Sequence, residues 1–298
     1  MHPFLRSIGF SEAFSSEYEL NLLLDNIVST YDKRVSVKEH AGVCMFLEMS
    51  KTFGPSMGLK VCGELDGHGF SRLYYYPYLS GSTISSKENL SIDRRTDGHS
   101  YSAMLEDGRV GVSLIFYVQN PADIMKQQLS EGLSGMGITT SLVGLSTSGT
   151  ILLPIHSGTG QKKEEHESYY KRHDNLVTAA KNGSQEAIEA LTYEDMDLYA
   201  MLSRRIMRED VYSIVESSFM PYGMESDQYQ ILGKIKFYTK VRNTLTMENV
   251  YQMTVECNGI ELVICINEKD LLGQPEAGRR FKGNIWLQGQ INLPETLQ

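Results

Sequence analysis

Cysteine is scarce in this sequence: Cys44, Cys62, Cys257 and Cys265 are the only four among 298 residues. None lies in a C-x-x-C pair, which excludes a zinc knuckle and a thioredoxin-like redox motif. A secretory signal is also missing, because Met1 to Phe10 lacks the charged-then-apolar order of one. Thiols without a bridging framework and without a signal point to the cytoplasm. No phosphate loop of the form G-x-x-x-x-G-K-[ST] occurs, and Gly67-His68-Gly69 and Gly158-Thr159-Gly160 do not continue to the third glycine of a dinucleotide fingerprint. Gly132-Leu133-Ser134-Gly135-Met136 and Gly144-Leu145-Ser146-Thr147-Ser148 lack the closing glycine of a nucleophile elbow. His166 and His173 flank Tyr170, where a H-E-x-x-H zinc motif would need its second histidine. No cofactor is expected.

Positive charge is in deficit. The chain carries 28 Lys and Arg against 37 Asp and Glu, a net of -9. From Gln228 onward eight basic residues face seven acidic ones, so that part is +1 and the remainder is -10. An acidic body opposes a phosphate backbone, which disfavours nucleic-acid binding. A single long run, Gly132 to Gln161, has no formal charge. Its middle, Ser146-Thr147-Ser148-Gly149-Thr150, reads as a polar turn between the apolar runs Ile138 to Leu145 and Ile151 to Ile155. The reading is a buried hairpin rather than a membrane span, so no membrane partner is expected.

What is present describes an α+β protein. Ser16 followed by Glu19 forms a capping box, with Leu20, Leu23, Leu24, Ile27 and Val28 at helical spacing behind it and an end near Tyr31. Strand-like runs follow at Val43 to Met49, Leu59 to Leu65 and Phe70 to Leu79. In the last of these, alternation sends Tyr74, Tyr76 and Tyr78 to one face and Tyr75 to the other, with Pro77 marking an edge or a strand end. A polar loop, Ser80 to Gly98, comes next. Asp107-Gly108 predicts a tight hairpin that pairs Leu105 with Val110, Ala103 with Val112 and Tyr101 with Leu114. Pro121 opens a helix through Leu133.

Charge concentrates at Lys162, Lys163, Glu164, Glu165 and Glu167, and helices are expected beyond it, interrupted at Asn182-Gly183 and extending from Thr192 to Met207 and from Val211 to Phe219. From Gln228 the pattern returns to strands. Asn258-Gly259 predicts a hairpin pairing Cys257 with Ile260, Val255 with Leu262, Met253 with Ile264 and Tyr251 with Ile266. Cys265 then points away from Cys257, which excludes a disulfide between them. Strands Ile231 to Thr239 and Phe281 to Gln288 flank this hairpin, and a short helical piece, Glu268 to Leu272, precedes the last one. The organisation is thus an antiparallel-sheet domain at 1–156, a charged linker with helical hairpins at 157–224, and a small OB-like β-barrel at 225–298.

Two groups of side chains are candidates for binding. The loop residues Arg94, Arg95 and His99 could line a cleft for a small anionic substrate. Arg279, Arg280, Lys282 and Trp286 could stack on and pair with a single-stranded nucleic acid, although Phe281 and Trp286 differ in parity, so at least one is core. Asp66-Gly67-His68 and Asp97-Gly98-His99 repeat a tripeptide; without a recognisable third ligand, each reads as an Asp-Gly turn rather than a metal site.

The segments Met1 to Phe10, Val110 to Asn120, Met220 to Tyr229 and Gly278 to Gly289, taken together, resemble an uncharacterised family of bacterial proteins filed as a domain of unknown function. The resemblance covers the whole chain and implies a bacterial cytoplasmic protein. It transfers no activity. The residues favour a non-catalytic binding or interaction protein, with the barrel as contact module and a protein among its conceivable partners. An enzyme of unrecognised type and a single-strand binder are the alternatives.

Overall fold

The computed structural model describes residues 1–38, 44–81, 83–130, 137–154, 172, 175–193, 196, 212 and 215–293. The chain enters through a 3-10 helix, Pro3–Ile8, opened by the His2 side chain, which accepts from the Phe4 N–H, and closed by Gly9 at φ 90°. Phe4, Leu5 and Ile8 are buried there. Helix α1, Glu17–Thr30, begins as its capping box requires, with Ser16 Oγ accepting from Glu19 N–H at 3.3 Å. The Glu19 carboxylate reaches one residue further back, to the Ser15 N–H and hydroxyl.

Four antiparallel strands in sequential order form the first sheet: β1 (Lys33–Lys38), β2 (Met45–Gly54), β3 (Met57–Asp66) and β4 (Gly69–Leu79). Strand β1, built on the alternating KRVSVK, was not anticipated; its charged residues suit a sheet edge, where they discourage pairing with other chains. Pro77 lies on β4, at the opposite edge, so its missing N–H costs no ladder bond. Tyr76 and Tyr78 are buried on the expected common face, and Tyr74 stacks on Tyr76 at 6.2 Å.

Inside the polar loop a short strand, β5 (Leu90–Arg94), pairs with β6 (Tyr101–Leu105), which pairs with β7 (Leu114–Val118). The hairpin at Asp107-Gly108 forms in a different register from that expected: Leu105 faces Leu114 and Ala103 faces Phe116. Neither Asp107 nor Gly108 adopts the positive φ of a two-residue turn. Instead the Asp107 carboxylate is buried, accepting from Arg109 N–H, Nε and Nη2 and from Ser86 Oγ, and these bonds hold the wider loop. Helix α2, Pro121–Ser130, starts at the expected proline.

The hairpin expected across Ile138 to Ile155 is instead one strand, β8 (Thr139–Leu152), although Ile155 lies outside the described residues. The polar centre is a bulge: Ser148 faces Asn284 and Ser146 faces Ile285, leaving Thr147 extra. Ser146 Oγ bonds the Ser148 and Asn284 carbonyls, which satisfies the kinked backbone. Gly149 is there for close packing, since a Cβ would sit 2.4 Å from the Phe281 ring.

The middle segment is helical at 175–181 and 185–193, broken at Gly183 (φ 86°) as expected, with Ser184 Oγ accepting from Ala187 N–H. Most of the helix expected from Thr192 to Met207 lies outside the described residues. The one expected from Val211 to Phe219 is corrected at its end: Ser218–Pro221 is a strand, β9, drawn onto its neighbour by Phe219, which packs on Tyr229 at 5.1 Å.

The remaining strands are β10 (Gln228–Arg242), β11 (Asn249–Cys257), β12 (Ile260–Asn267), the two-residue β13 (Leu271–Leu272) and β14 (Arg280–Asn292). The β11–β12 register is the one the Asn-Gly turn dictates, Cys257 to Ile260 through Tyr251 to Ile266. Accordingly the two cysteines diverge: Cys257 Sγ bonds Leu232 O and Cys265 Sγ bonds Ser7 O. Strands β10, β11 and β12 form an antiparallel meander, β12 runs parallel to β8, and β8 is antiparallel to β14, which returns to β10. Five strands therefore close a barrel. Its single parallel pair and the short 3-10 turn Glu268–Asp270 before β14 give it OB-type connectivity, with the closing strand β8 preceding the others in sequence. The barrel thus crosses the expected boundary at 156. Beyond Trp286, β14 exchanges β10 for β7 as its neighbour and carries the β7–β6–β5 ribbon away from the barrel.

Buried amides lock the first sheet to the barrel. Gln119 Nε2 donates to Leu79 O and Gln288 Oε1, and Gln288 Nε2 donates to Pro77 O. Lys60, paired with the buried Glu48, and the Tyr76 hydroxyl both donate to Gln119 O. Each polar group there is satisfied, as burial demands. Among the described residues, no helix is long and apolar enough to cross a membrane.

A candidate ligand cleft between sheet and barrel

Where β4 faces β7 and β14, a cleft of about 340 Å³ opens. Its walls come from six parts of the chain: His2 and Phe4 at the N-terminus, Tyr74 to Tyr76 on β4, the Arg95 to Ser100 loop, Tyr117 on β7, Glu225 to Gln228, and Trp286 on β14. The pleat explains the convergence. On β14, Phe281 points into the barrel, and Trp286, of opposite parity, points out toward β4; both are buried.

Trp286, the sole tryptophan, sits at the centre of the aromatic cluster. His2, Tyr117 and Phe4 surround it at ring distances of 4.7, 5.1 and 5.4 Å. Tilted and edge-on geometries dominate, as the ring quadrupoles favour. Its Nε1–H donates to Asp227 Oδ2 at 3.0 Å, and Arg95 Nη1 donates to the same oxygen at 2.7 Å. The Arg95 guanidinium also lies over the Tyr117 ring at 5.6 Å. Asp227 is only 3% exposed, so this carboxylate is the buried anchor of the cleft floor.

The electrostatics follow from these contacts. Burial opposes the charge on Arg95, yet Asp227 outweighs it and holds the guanidinium above its ordinary pKa. Asp97 is opposed by burial too, but bonds from the Ser100 hydroxyl, the Ser100 and His99 N–H groups and the charge of Arg95 hold its carboxyl below the usual range. His2 is pushed down to about 4, first by burial and then by the N-terminal ammonium, against the pull of Asp227. It is neutral at pH 7. Burial pushes the Tyr117 hydroxyl well up, so it stays protonated. That hydroxyl makes no hydrogen bond among the described residues, although Tyr117 is only 7% exposed.

The two expected groups of site residues are divided by the structure. Of the loop trio, Arg95 lines the cleft; Arg94 instead donates to the Tyr101 hydroxyl, and His99 is exposed near Glu64. Of the barrel quartet, Trp286 lines the cleft. Arg279 pairs with Glu276, Arg280 donates to the Leu153 and Val215 carbonyls, and Lys282 lies over Tyr212. Arg95 and Trp286, one from each expectation, meet on Asp227. The Asp-Gly-His repeats are turns, Asp66 Oδ1 capping His68 and Gly69 N–H, and Asp97 Oδ1 capping His99 and Ser100 N–H. Among the described residues, no group of three or more His, Cys, Asp or Glu could hold a metal ion.

His2, Tyr117 and Asp227 were not singled out individually. Their signal was present in another form: each of the four distinctive segments, 1–10, 110–120, 220–229 and 278–289, puts a side chain into the cleft. No curated protein and no solved structure matches the chain. A family model does match, over residues 5–289. The chain belongs to the family described as "Domain of unknown function, E. rectale Gene description (DUF3881)".

Proposed function

We propose that the protein is a non-catalytic binding protein and that its ligand enters the cleft between β4 and the barrel. The observation that carries this reading is the Tyr117 hydroxyl, which makes no hydrogen bond among the described residues and belongs to a side chain lining an open, aromatic-lined cavity. Buried polar groups are normally satisfied, so a ligand or solvent atom is the natural partner. The titratable groups beside it support binding rather than proton transfer: Arg95 is tied to Asp227, Asp97 to Ser100, and the His2 Nδ1 accepts from the Phe4 N–H. The alternative of an anionic substrate gains little, because the cleft sets one guanidinium against the carboxylates of Asp97, Glu225 and Asp227. The nucleic-acid reading loses its shared surface once Trp286 is separated from Arg279, Arg280 and Lys282. A cytoplasmic setting fits the four cysteines, none of which forms a disulfide.

The test is a small-molecule library screened by the emission of Trp286. Saturable shifts that disappear on filling the cleft, for example with Ser100→Trp, support the reading. A library that leaves the emission unchanged, with ligands recovered only by protein surfaces elsewhere, rejects it.

A further inference from the structure

We infer that the ligand of this cleft is an uncharged, polyhydroxylated ring, a mono- or disaccharide; the inference rests on the binding reading above. Three features select this class. Charge comes first. Three carboxylates against one guanidinium repel an anion, while a cation would have to be stripped of water beside the Arg95 guanidinium although two of the three carboxylates already have partners, Asp227 in Arg95 and Trp286 and Asp97 in His99 and Ser100. A neutral guest avoids both penalties.

Hydrogen-bonding capacity is the second feature. The cleft offers both donors and acceptors: the Arg95 N–H groups, the Tyr117 hydroxyl, which does both, and the Glu225 carboxylate, for which no side-chain partner is formed among the described residues. A ring bearing several hydroxyls, each both donor and acceptor, can satisfy such a mixed set. A purely apolar guest would leave the Tyr117 hydroxyl and the guanidinium edge stripped of water and unpaired, which costs affinity.

Shape is the third. Tyr74 and Tyr75 are only partly buried and line the cleft, so their rings are accessible to whatever enters. The apolar C–H face of a pyranose lies flat on such a ring, and its hydroxyl edge turns toward the floor. The cavity volume of about 340 Å³ falls at the small end of ligand pockets and suits one or two sugar rings.

Saturation-transfer NMR on the full chain tests this with named probes: glucose, galactose and N-acetylglucosamine with their β-linked disaccharides, alongside choline and inorganic phosphate. The expected result is saturation transfer to ring protons of at least one saccharide, accompanied by a change in Trp286 emission. Binding should be insensitive to raising NaCl from about 0.05 to 0.5 M, since no net charge is paired. Tyr117→Phe, which removes a hydroxyl bonded to none of the described residues, should weaken it about three- to tenfold. Arg279→Ala, outside the cleft, should leave it unchanged. Binding of choline or phosphate without any saccharide, or saccharide binding that Tyr117→Phe does not weaken, overturns the inference while leaving the cleft a binding site. If no compound of any charge alters Trp286 emission, the inference falls together with the reading beneath it.

Discussion

Replacing Arg95 by methionine removes the guanidinium that pairs with Asp227, and the cost can be worked from the contacts. The Asp227 side chain is 4% exposed, and among the described residues its carboxylate keeps, apart from Arg95, only the Trp286 Nε1–H bond at 3.0 Å. Breaking a buried pair by removing one partner costs about 3–5 kcal/mol. The Arg95 side chain is 27% exposed, so solvent reaches the site and a discounted figure of about 2–3 kcal/mol is appropriate. Losing the contact with the Tyr117 ring adds about 0.5–1 kcal/mol. The total, about 3 kcal/mol, corresponds to a rise of about a hundredfold in the unfolding constant.

Urea unfolding followed by Trp286 emission reads this directly, because the only tryptophan sits on the perturbed carboxylate. The midpoint should fall with an unchanged slope. Adding Asp227→Asn should recover more than half of the loss, since asparagine keeps an acceptor for the indole N–H and carries no charge. A single variant within about 0.5 kcal/mol of the parent, or a double variant no better than the single, refutes the view that this pair fastens the β5 ribbon to the barrel.

Three further outcomes follow from the packing and the ionisation. Gly58→Ala should destabilise by at least about 1–3 kcal/mol in the same unfolding assay, because the added Cβ would lie 2.1 Å from the Lys51 carbonyl, a backbone atom that cannot swing aside. In native protein a thiol reagent should label Cys44 alone, and all four cysteines in urea. Burial pushes the thiols of Cys62, Cys257 and Cys265 well up, Cys257 to about 12, so fast native labelling of more than one site would contradict the structure. His2, held neutral down to about pH 4 in the fold but titrating near 6.5 when unfolded, leaves the unfolded state with more bound protons between those values. Stability is then lost as pH falls from about 6.5 toward 4, by at most about 3 kcal/mol and less for a partly exposed ring. His2→Gln should flatten that part of the stability–pH profile, and a profile identical to the parent's would be the contrary result.

Local chemistry was legible wherever one short segment contained its own instructions. Ser16 and Glu19 fix the start of α1, Pro121 fixes α2, and Asn258-Gly259 fixes both the turn and the register of β11 against β12, because two residues with φ 49° and 74° leave one pairing open. Asp107-Gly108 carried the same kind of signal and misled, because the Asp107 carboxylate gains more from Arg109 and Ser86 than from a tight turn. Ser146 to Thr150 reads as a turn for a similar reason. Small polar residues with glycine serve turns and bulges alike, and only the partner strand β14 shows which is meant.

Cleft and barrel closure belong to the second kind of knowledge. The sequence by itself determined the α+β class, the meander β10–β11–β12, the parity that separates Phe281 from Trp286, and the absence of a disulfide between Cys257 and Cys265. Tertiary structure alone decided that β8 closes the barrel from the far side of the middle segment, and that His2, Arg95, Tyr117, Asp227 and Trp286 share one cavity. The physical reason is range: helix caps and turns are fixed by bonds between near neighbours, whereas a cavity is the space left when distant strands pack, and no local pattern encodes it.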